Sequence, residues 1–392
     1  MQFGEDSVRD VEGLRGVARQ LAAARSPGQR VVGVLAAMGS TTSELLQLAH
    51  EVSPTPHERE LDMLVSVGER AACALTAMAL VDLGYPAVSL TGSQAGIVTD
   101  TAHGRARIVE VRARRIRDAL DGGAIALVAG FQGVSTDAEV TTLGRGGSEA
   151  TAVALAAALA ASACVLLRTA EVHSADPRIV GGARRLSAVS YDELLELGAH
   201  GHRVLPLRSV ELARNHGVRL HVRSPSPDAE GTWVVKEDDE RMLERAIISG
   251  VAHTVDETVY RVDDVPAATL FSALADAAVN VDTILQTSDG LVFSASNDDA
   301  RSAAAVLDGL DARWSADSEL GQVSVVGAGM RSHPGVAATA FATLEKNGIE
   351  PVIVTTSPIR ISCHVRRDAV ERAVRALHDA FGLAESAEAA DG

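Results

Sequence analysis

Ala124-Ile125-Ala126-Leu127-Val128, then Thr141-Thr142-Leu143-Gly144-Arg145-Gly146-Gly147-Ser148, then an alanine-rich run from Thr151 into Ala163-Cys164-Val165-Leu166-Leu167, form the stretch that decides the fold. Its first and last segments are short and wholly apolar, as strands covered on both faces must be. Between them a glycine-rich turn leads into small residues that suit a tightly packed helix. Val31-Val32-Gly33-Val34-Leu35 reads as a further buried strand. Leu61 to Leu83 and Val109 to Leu120 read as helices. Strand and helix in turn, continued to about Val222, predict an α/β three-layer sandwich on a mostly parallel sheet.

Ser224-Pro225-Ser226-Pro227-Asp228 breaks this pattern, and Lys236 to Glu244 is dense in charge, so residues 224–246 read as a linker after a domain at 1–223. An internal repeat follows. Phe271, Leu274, Ala278 and Val279 recur as Phe341, Leu344, Gly348 and Ile349, at a constant offset of 70. Each copy runs from a helix through a small residue into an apolar strand, a polar turn and a second strand. Asp299 to Leu310 and Asp368 to Leu377 supply second helices. Two tandem βαββαβ modules, at 247–316 and 317–385, are expected, with a disordered tail at 386–392.

The composition is 46% hydrophobic and 22% charged, as a globular chain requires. A net charge of -16 argues against a nucleic-acid partner, because phosphate backbones reward basic surfaces. Cys73, Cys164 and Cys363 are scattered without pairing or metal spacing, as buried structural thiols are, and no metal site is expected. No leader opens the chain and no apolar run reaches the ~20 residues of a membrane span, the nearest being Thr151 to Leu167, so a cytoplasmic protein is expected. Lys236 and Lys346 are the two lysines of the whole chain.

Several segments carry a resemblance. Glu60-Leu61-Asp62 with Gly68-Glu69, Phe131-Gln132-Gly133, Thr141 to Ser148 and Asp176-Pro177-Arg178 occur in the order and spacing of aspartokinases. Gly327-Ala328-Gly329-Met330-Arg331-Ser332-His333-Pro334-Gly335-Val336 resembles the second ACT module of the same enzymes. The likeness covers nearly the whole chain. It implies an amino-acid-kinase domain followed by two ferredoxin-like ACT modules, and the transfer of phosphate from MgATP to the side-chain carboxylate of L-aspartate. That reaction needs one half-site for the amino acid and another that neutralises charge on the moving phosphoryl group.

The resemblance implies an acceptor half made of Thr42, Glu69, Phe131, Arg145 and Ser148. Arg145 would grip the α-carboxylate with a planar fork, Glu69 would receive the α-ammonium, and Phe131 would form a wall. The nucleotide half departs from the family. Where relatives open Lys-Phe-Gly-Gly-Thr-Ser, with the lysine on transferring phosphate, this chain reads Gln2-Phe3-Gly4-Glu5-Asp6-Ser7. Two carboxylates then stand where phosphate should approach, and like charges ~4 Å apart repel by about 4 kcal/mol at an effective dielectric of 20. Where the family has Thr-Asp-Val-Asp-Gly-Val-Tyr, the chain has Leu167-Arg168-Thr169-Ala170-Glu171-Val172-His173. Glu149 replaces a family aspartate, Ala36 a serine and Arg203 a lysine. Asp176, Arg178 and Arg203 remain as weak nucleotide contacts, with Arg168 or Arg203 as substitutes for the lost cation.

In the modules, Met330, Ser332, His333, Thr355 and Thr356 match effector-binding segments, whereas the first module is shortened over Tyr260 to Pro266 and at Thr287-Ser288-Asp289-Gly290. The modules serve either an amino-acid effector or assembly alone. Three readings fit. The first, which the altered phosphate segment favours, is a catalytically impaired homologue that binds L-aspartate or a related amino acid, holds MgATP weakly or not at all, and acts in a homo-oligomer or beside a complete aspartokinase. The second is a working aspartate kinase whose arginines hold phosphate. The third is a kinase for a related amino acid.

Overall fold

The computed structural model describes the chain except residues 27, 202–203, 227–228, 243–246, 289, 331–332 and 385–392. It divides into two compact units, one of residues 1–172, 185–195 and 204–243, the other of residues 173–184, 196–203 and 244–392.

The first unit runs β1 (Gln2–Phe3), α1 (Val11–Ala23), β2 (Val32–Leu35), α2 (Thr41–Val52), α3 (Glu58–Val65), α4 (Val67–Asp82), β3 (Ala87–Leu90), α5 (Gly92–Ala95), β4 (Ile97–Thr99), β5 (Ile108–Val111), α6 (Arg114–Asp121), β6 (Ile125–Ala129), β7 (Gln132–Ser135) and β8 (Val140–Thr142). It continues through α7 (Gly147–Ala158), β9 (Cys164–Leu167), β10 (Ala188–Ser190), α8 (Tyr191–Ala199), α9 (Leu207–His216), β11 (Leu220–Arg223) and β12 (Thr232–Val235). Eight strands form the main sheet in the order β10-β12-β11-β9-β1-β2-β6-β3, and β5-β4-β7-β8 form a second, smaller one. Every main-sheet ladder is parallel except β11 with β12. All five residues of β6 are buried, and a fully buried Val, Leu or Ile contributes about 1.5–3 kcal/mol. Phe3, Leu35 and Leu167 lie in register and join Leu14, Val17, Leu21 and Leu80 of α1 and α4 in one core. Side chains alternate along a strand, so Gln2 faces the other layer, where α7 covers β1, β2 and β9.

Three segments differ from the sequence expectation. Val109 belongs to β5 rather than a helix: Ile108, Val109 and Val111 are β-branched, and Ile108, Glu110 and Val111 pair with β4, the register shifting at Val109; α6 starts only after Ala113, which adopts a left-handed φ of 38°. The expected linker 224–246 contains β12, in which Thr232, Trp233 and Val234 pair with β11 and Trp233, Val234 and Val235 with β10, so this stretch returns to the sheet rather than leaving it. The expected single helix at Leu61 to Leu83 breaks at Ser66 into α3 and α4. Glu58–Asp82 is also the one helical stretch among the described residues long and apolar enough to span a bilayer. In this fold α4 buries Gly68, Glu69, Ala72, Cys73, Thr76 and Leu80 against α1, β3 and β6.

The second unit carries β13 (Gly250–Thr254), β14 (Glu257–Asp263), α10 (Ala267–Asp276), β15 (Val281–Thr287), β16 (Gly290–Ser296), α11 (Ala300–Gly309), β17 (Arg313–Asp317), β18 (Leu320–Val326), α12 (Gly335–Lys346), β19 (Ile353–Ser357), β20 (Arg360–Arg366) and α13 (Val370–Ala380). The repeat is visible in three dimensions. Ala278 and Gly348 both adopt left-handed φ, 56° and 63°, after α10 and α12. Val279 and Ile349 then donate to Leu274 and Leu344 at 2.9 and 3.0 Å, closing each helix in the same way. The modules are not laid simply end to end. β14, β15, β16 and β17 form one sheet, but β13, ahead of them in the chain, pairs with β18 in the other. The first module is thus inserted after the first strand of the second, and β13 leaves the expected 247–316 boundary. Cys73, Cys164 and Cys363 are buried free thiols.

Candidate active site

The chain leaves β1 through α1 toward β2, whereas β9, on the other side of β1, leads on toward β11 and β12. Such a change of direction opens a crevice beyond the carboxyl ends of the strands. The segments that leave β1, β2, β6 and β9 are those in which the sequence places its candidates.

On one side stands Glu69, in the first turn of α4 and 3% exposed. Its carboxylate accepts from its own backbone N–H and from that of Ala37, which follows β2. Oε2 has no partner among the described residues. Burial pushes the carboxyl up to about 7, Glu5 adds to the rise, and Arg70 opposes it. Thr42, half-buried in α2, lies one residue beyond Thr41, whose methyl is 3.4 Å from the space a side chain at Gly68 would fill.

The glycine-rich loop arrives from β8. Phe131, between β6 and β7, adopts a left-handed φ of 67°, a strained state for a bulky residue that the surroundings must enforce. Its carbonyl accepts from Leu143 N at 2.8 Å. A side chain at Gly147 would meet the Phe131 ring at 2.9 Å, and one at Gly130 would meet Ser148 Oγ at 2.9 Å, so the loop lies directly on the end of β6. Gly144 and Gly146 take left-handed φ of 73° and 75°, which lifts Arg145 between them into solvent. Arg145 has no ion-pair partner among the described residues. It stands three residues before buried Ser148, at the start of α7.

Residues without an assigned role in the sequence hold this loop. Asp62, buried, accepts from Thr142 Oγ1 at 2.5 Å and from Gly104 N at 3.1 Å, and its Oδ2 lies 2.7 Å from His103 Nδ1. Arg208 donates to the carbonyls of Leu143 at 2.8 Å and Ala106 at 2.9 Å. Asp62 lay inside a quoted motif. Arg208 had no local signal, because its acceptors are 65 and 102 residues away.

At β1 the phosphate-side candidates are rearranged. Gly4 O accepts from Ser7 N at 2.9 Å and Val8 N at 3.3 Å, a tight turn that leaves Glu5 and Asp6 exposed. Asp6 Oδ2 accepts from Thr169 Oγ1 at 3.3 Å. The repulsion expected from this pair is therefore weakened by solvent and salt. Gln2 is fully buried, and neither side-chain atom has a partner among the described residues. Arg168, at the end of β9, is ion-paired with Glu149 in the first turn of α7. A cavity of about 1220 Å³ lies at the opposite edge of the sheet, between Met1, Gln20, Ala156, Val165 and Trp233, away from all these groups.

The remaining candidates lie elsewhere. Asp176 and Arg178 fall in the second unit and neutralise each other, Arg178 Nη2 standing 2.6 Å from Asp176 Oδ2. Arg203 and Ser332 lie outside the described residues. Met330 is a member of the buried core beneath β18 and β20, which is packing work, while His333 is exposed with Nδ1 2.8 Å from Gly329 O. Thr355 and Thr356 stand on β19, the first half-buried, the second exposed. His200, Glu257 and Asp282 bring ligand atoms within 4.8 Å of one another. Arg360 already supplies a cation there, bonded to His200 Nε2 and, at 3.0 Å, to Glu196.

Residues 1–224 match the amino acid kinase family, and residues 323–381 match an ACT domain. The aspartokinase of Mycolicibacterium smegmatis is 47% identical over 407 residues, covering 99% of this chain and 97% of its own. The chain belongs to the aspartokinase family. The aspartokinase of Corynebacterium glutamicum is 45% identical over the same shares of both chains. The fold agrees with that of E. coli aspartokinase III, solved in complex with aspartate and ADP, at a TM-score of 0.79 and 21% identity over 97% of this chain and 98% of that one. Family membership accounts for the pairing of a kinase sheet with an ACT domain. It sets the crevice at β1 and β9 against relatives whose names state an aspartate kinase activity.

Proposed function

We propose that this chain is a working aspartate kinase, transferring the γ-phosphoryl group of MgATP to the side-chain carboxylate of L-aspartate. The observation that supports this most is Glu69, a buried carboxylate with an oxygen unpartnered among the described residues, in a chain that also offers the exposed guanidinium of Arg145 and the hydroxyl of Ser148 on the glycine-rich loop. That set suits an α-amino acid. Arg145 grips the α-carboxylate, Glu69 takes the α-ammonium, Ser148 donates its hydroxyl, and Phe131 walls the side chain. A side-chain carboxylate oxygen then attacks the γ-phosphorus, a new O–P bond forms, the bond to the bridging oxygen breaks, and ADP leaves. The nucleophile is already anionic, so no general base is needed. Relatives that cover almost the whole chain at 43–47% identity support retention of this activity. The impaired reading rests on Gln2, Glu5 and Asp6 and on the altered segment Leu167 to His173 with Glu149, and the exposure of Glu5 and Asp6 weakens the first of these grounds. An amino-acid effector on the ACT modules, assembly through them and a cytoplasmic location belong to the same proposal.

The test is calorimetry with L-aspartate, L-glutamate and L-asparagine, followed by hydroxamate trapping with MgATP. L-aspartate should bind and give a trapped acyl phosphate. Arg145→Ala should weaken aspartate by about 2–3 kcal/mol, the scale of a charge-assisted bidentate contact. Preference for another acceptor would turn the reading toward a kinase for a related amino acid.

A further inference from the structure

A phosphoryl group in transfer spreads negative charge over its oxygens, and a fixed cation aimed at that charge is the largest contribution a protein makes to the step. The first unit has no lysine among residues 1–235, and Gln2 puts a neutral amide at the end of β1. The crevice beyond the strands opens where β1 and β9 part. Phe3 pairs with Leu167, so the next residues out, Gly4 and Arg168, flank its mouth. Gly4 is buried and bears no side chain, which lets a ligand approach the backbone. Arg168 Nη1 lies 3.8 Å from the point that a side-chain carbon on Gly4 would occupy. Arg168 Nη2 is held by Glu149, whose own carboxylate is 7% exposed, while the Arg168 side chain keeps 27% of its surface open.

We propose that Arg168 is the cation that receives the terminal phosphates of the nucleotide, and that Glu149 is the positioning residue that aims it. This rests on the kinase reading above. A guanidinium has five N–H donors in a fixed fork, so one bond to Glu149 leaves others for phosphate oxygens. Arg168 Nε is among the buried nitrogens with no partner among the described residues, a donor still to be satisfied. Register gives the cation its address: it has moved one strand along the sheet, from β1 to β9, and stays at the same carboxyl edge. In this role Arg168 only donates hydrogen bonds to phosphate oxygens.

The test compares the full-length protein with Arg168→Ala, Arg168→Lys and Glu149→Gln. Calorimetry reads MgADP and, separately, L-aspartate; hydroxamate trapping reads turnover. Arg168→Ala should weaken MgADP at least about tenfold and lower turnover about a hundredfold, the usual loss for one such donor, with L-aspartate affinity unchanged as proof of an intact fold. Arg168→Lys should recover part of the MgADP affinity. Glu149→Gln should lower turnover more than it weakens MgADP, because the cation remains but is poorly aimed. Parent-like MgADP affinity and turnover in Arg168→Ala overturn the proposal and leave the kinase reading standing. Absence of MgADP binding and turnover in the parent protein, with L-aspartate still bound, overturns both.

Discussion

Glu69, the proposed partner of the α-ammonium, carries a stability cost. Its carboxyl is raised from an ordinary 4.5 to about 7 by burial, so the folded chain binds this proton more tightly than the unfolded one. A group raised in this way contributes stability that is complete below the unfolded value and is lost as pH rises through about 7. The loss approaches about 3 kcal/mol at one pKa unit per 1.36 kcal/mol. Glu69→Gln should therefore melt higher than the parent at pH 8 and match it near pH 5; equal melting temperatures at pH 8 would refute the burial argument. In the ligand-binding reading the same carboxylate must be ionised to hold an α-ammonium. Aspartate affinity should rise from pH 6 to 8 in the parent and be weak and flat in the variant, as measured by calorimetry. Glu69, Arg145 and Ser148 entered as candidates through the family resemblance of their segments. The exposure of Glu5 and Asp6, and the choice of Arg168 over Arg203 proposed above, were not legible there, because exposure and strand register, rather than identity, decide whether a charge meets a ligand.

The elements that aim these residues are the glycine-rich loop and the turn after β6. Gly146 has φ 75°, and a side chain there would stand 2.5 Å from Pro206 Cβ at the start of α9. Gly146→Ala should displace Arg145, with left-handed backbone alone costing about 1–2 kcal/mol, or roughly tenfold in aspartate affinity. MgADP binding should stay at the parental level; a loss of both would mean that the loop supports the whole crevice. Strands β2, β6 and β9 were readable as continuous apolar runs, since a strand covered on both faces has no other option. The strand character of β5 and β12 was less visible. Ile108 to Val111 precede a helix without a strong break, and Thr232 to Val235 sit between charge-rich segments, so only their ladder partners reveal them.

Across the whole molecule, the repeat at offset 70 announced two similar modules, because matching core positions recur in sequence. Its nesting was hidden: β13 pairs Gly250 with Val326, and nothing local marks which sheet a five-residue strand will join. The same modules leave edges open. β15 is an edge strand with Ile284 48% exposed, and β19 is an edge strand beside exposed Val352. Open edges with apolar side chains favour pairing with another chain. The full-length protein should scatter light as a dimer or larger, and Ile284→Lys should shift it toward monomer; a monomeric parent would rule this out. On the proposed function, catalysis depends on both halves of the crevice at once, the proposed acceptor pocket and the proposed cation, Arg168. The most direct measurement is steady-state turnover of the unmodified protein with MgATP and L-aspartate, trapped as the hydroxamate. The expected result is saturable turnover of order 1–1000 per second, the ordinary range for enzymes; background-level product with aspartate demonstrably bound would contradict it.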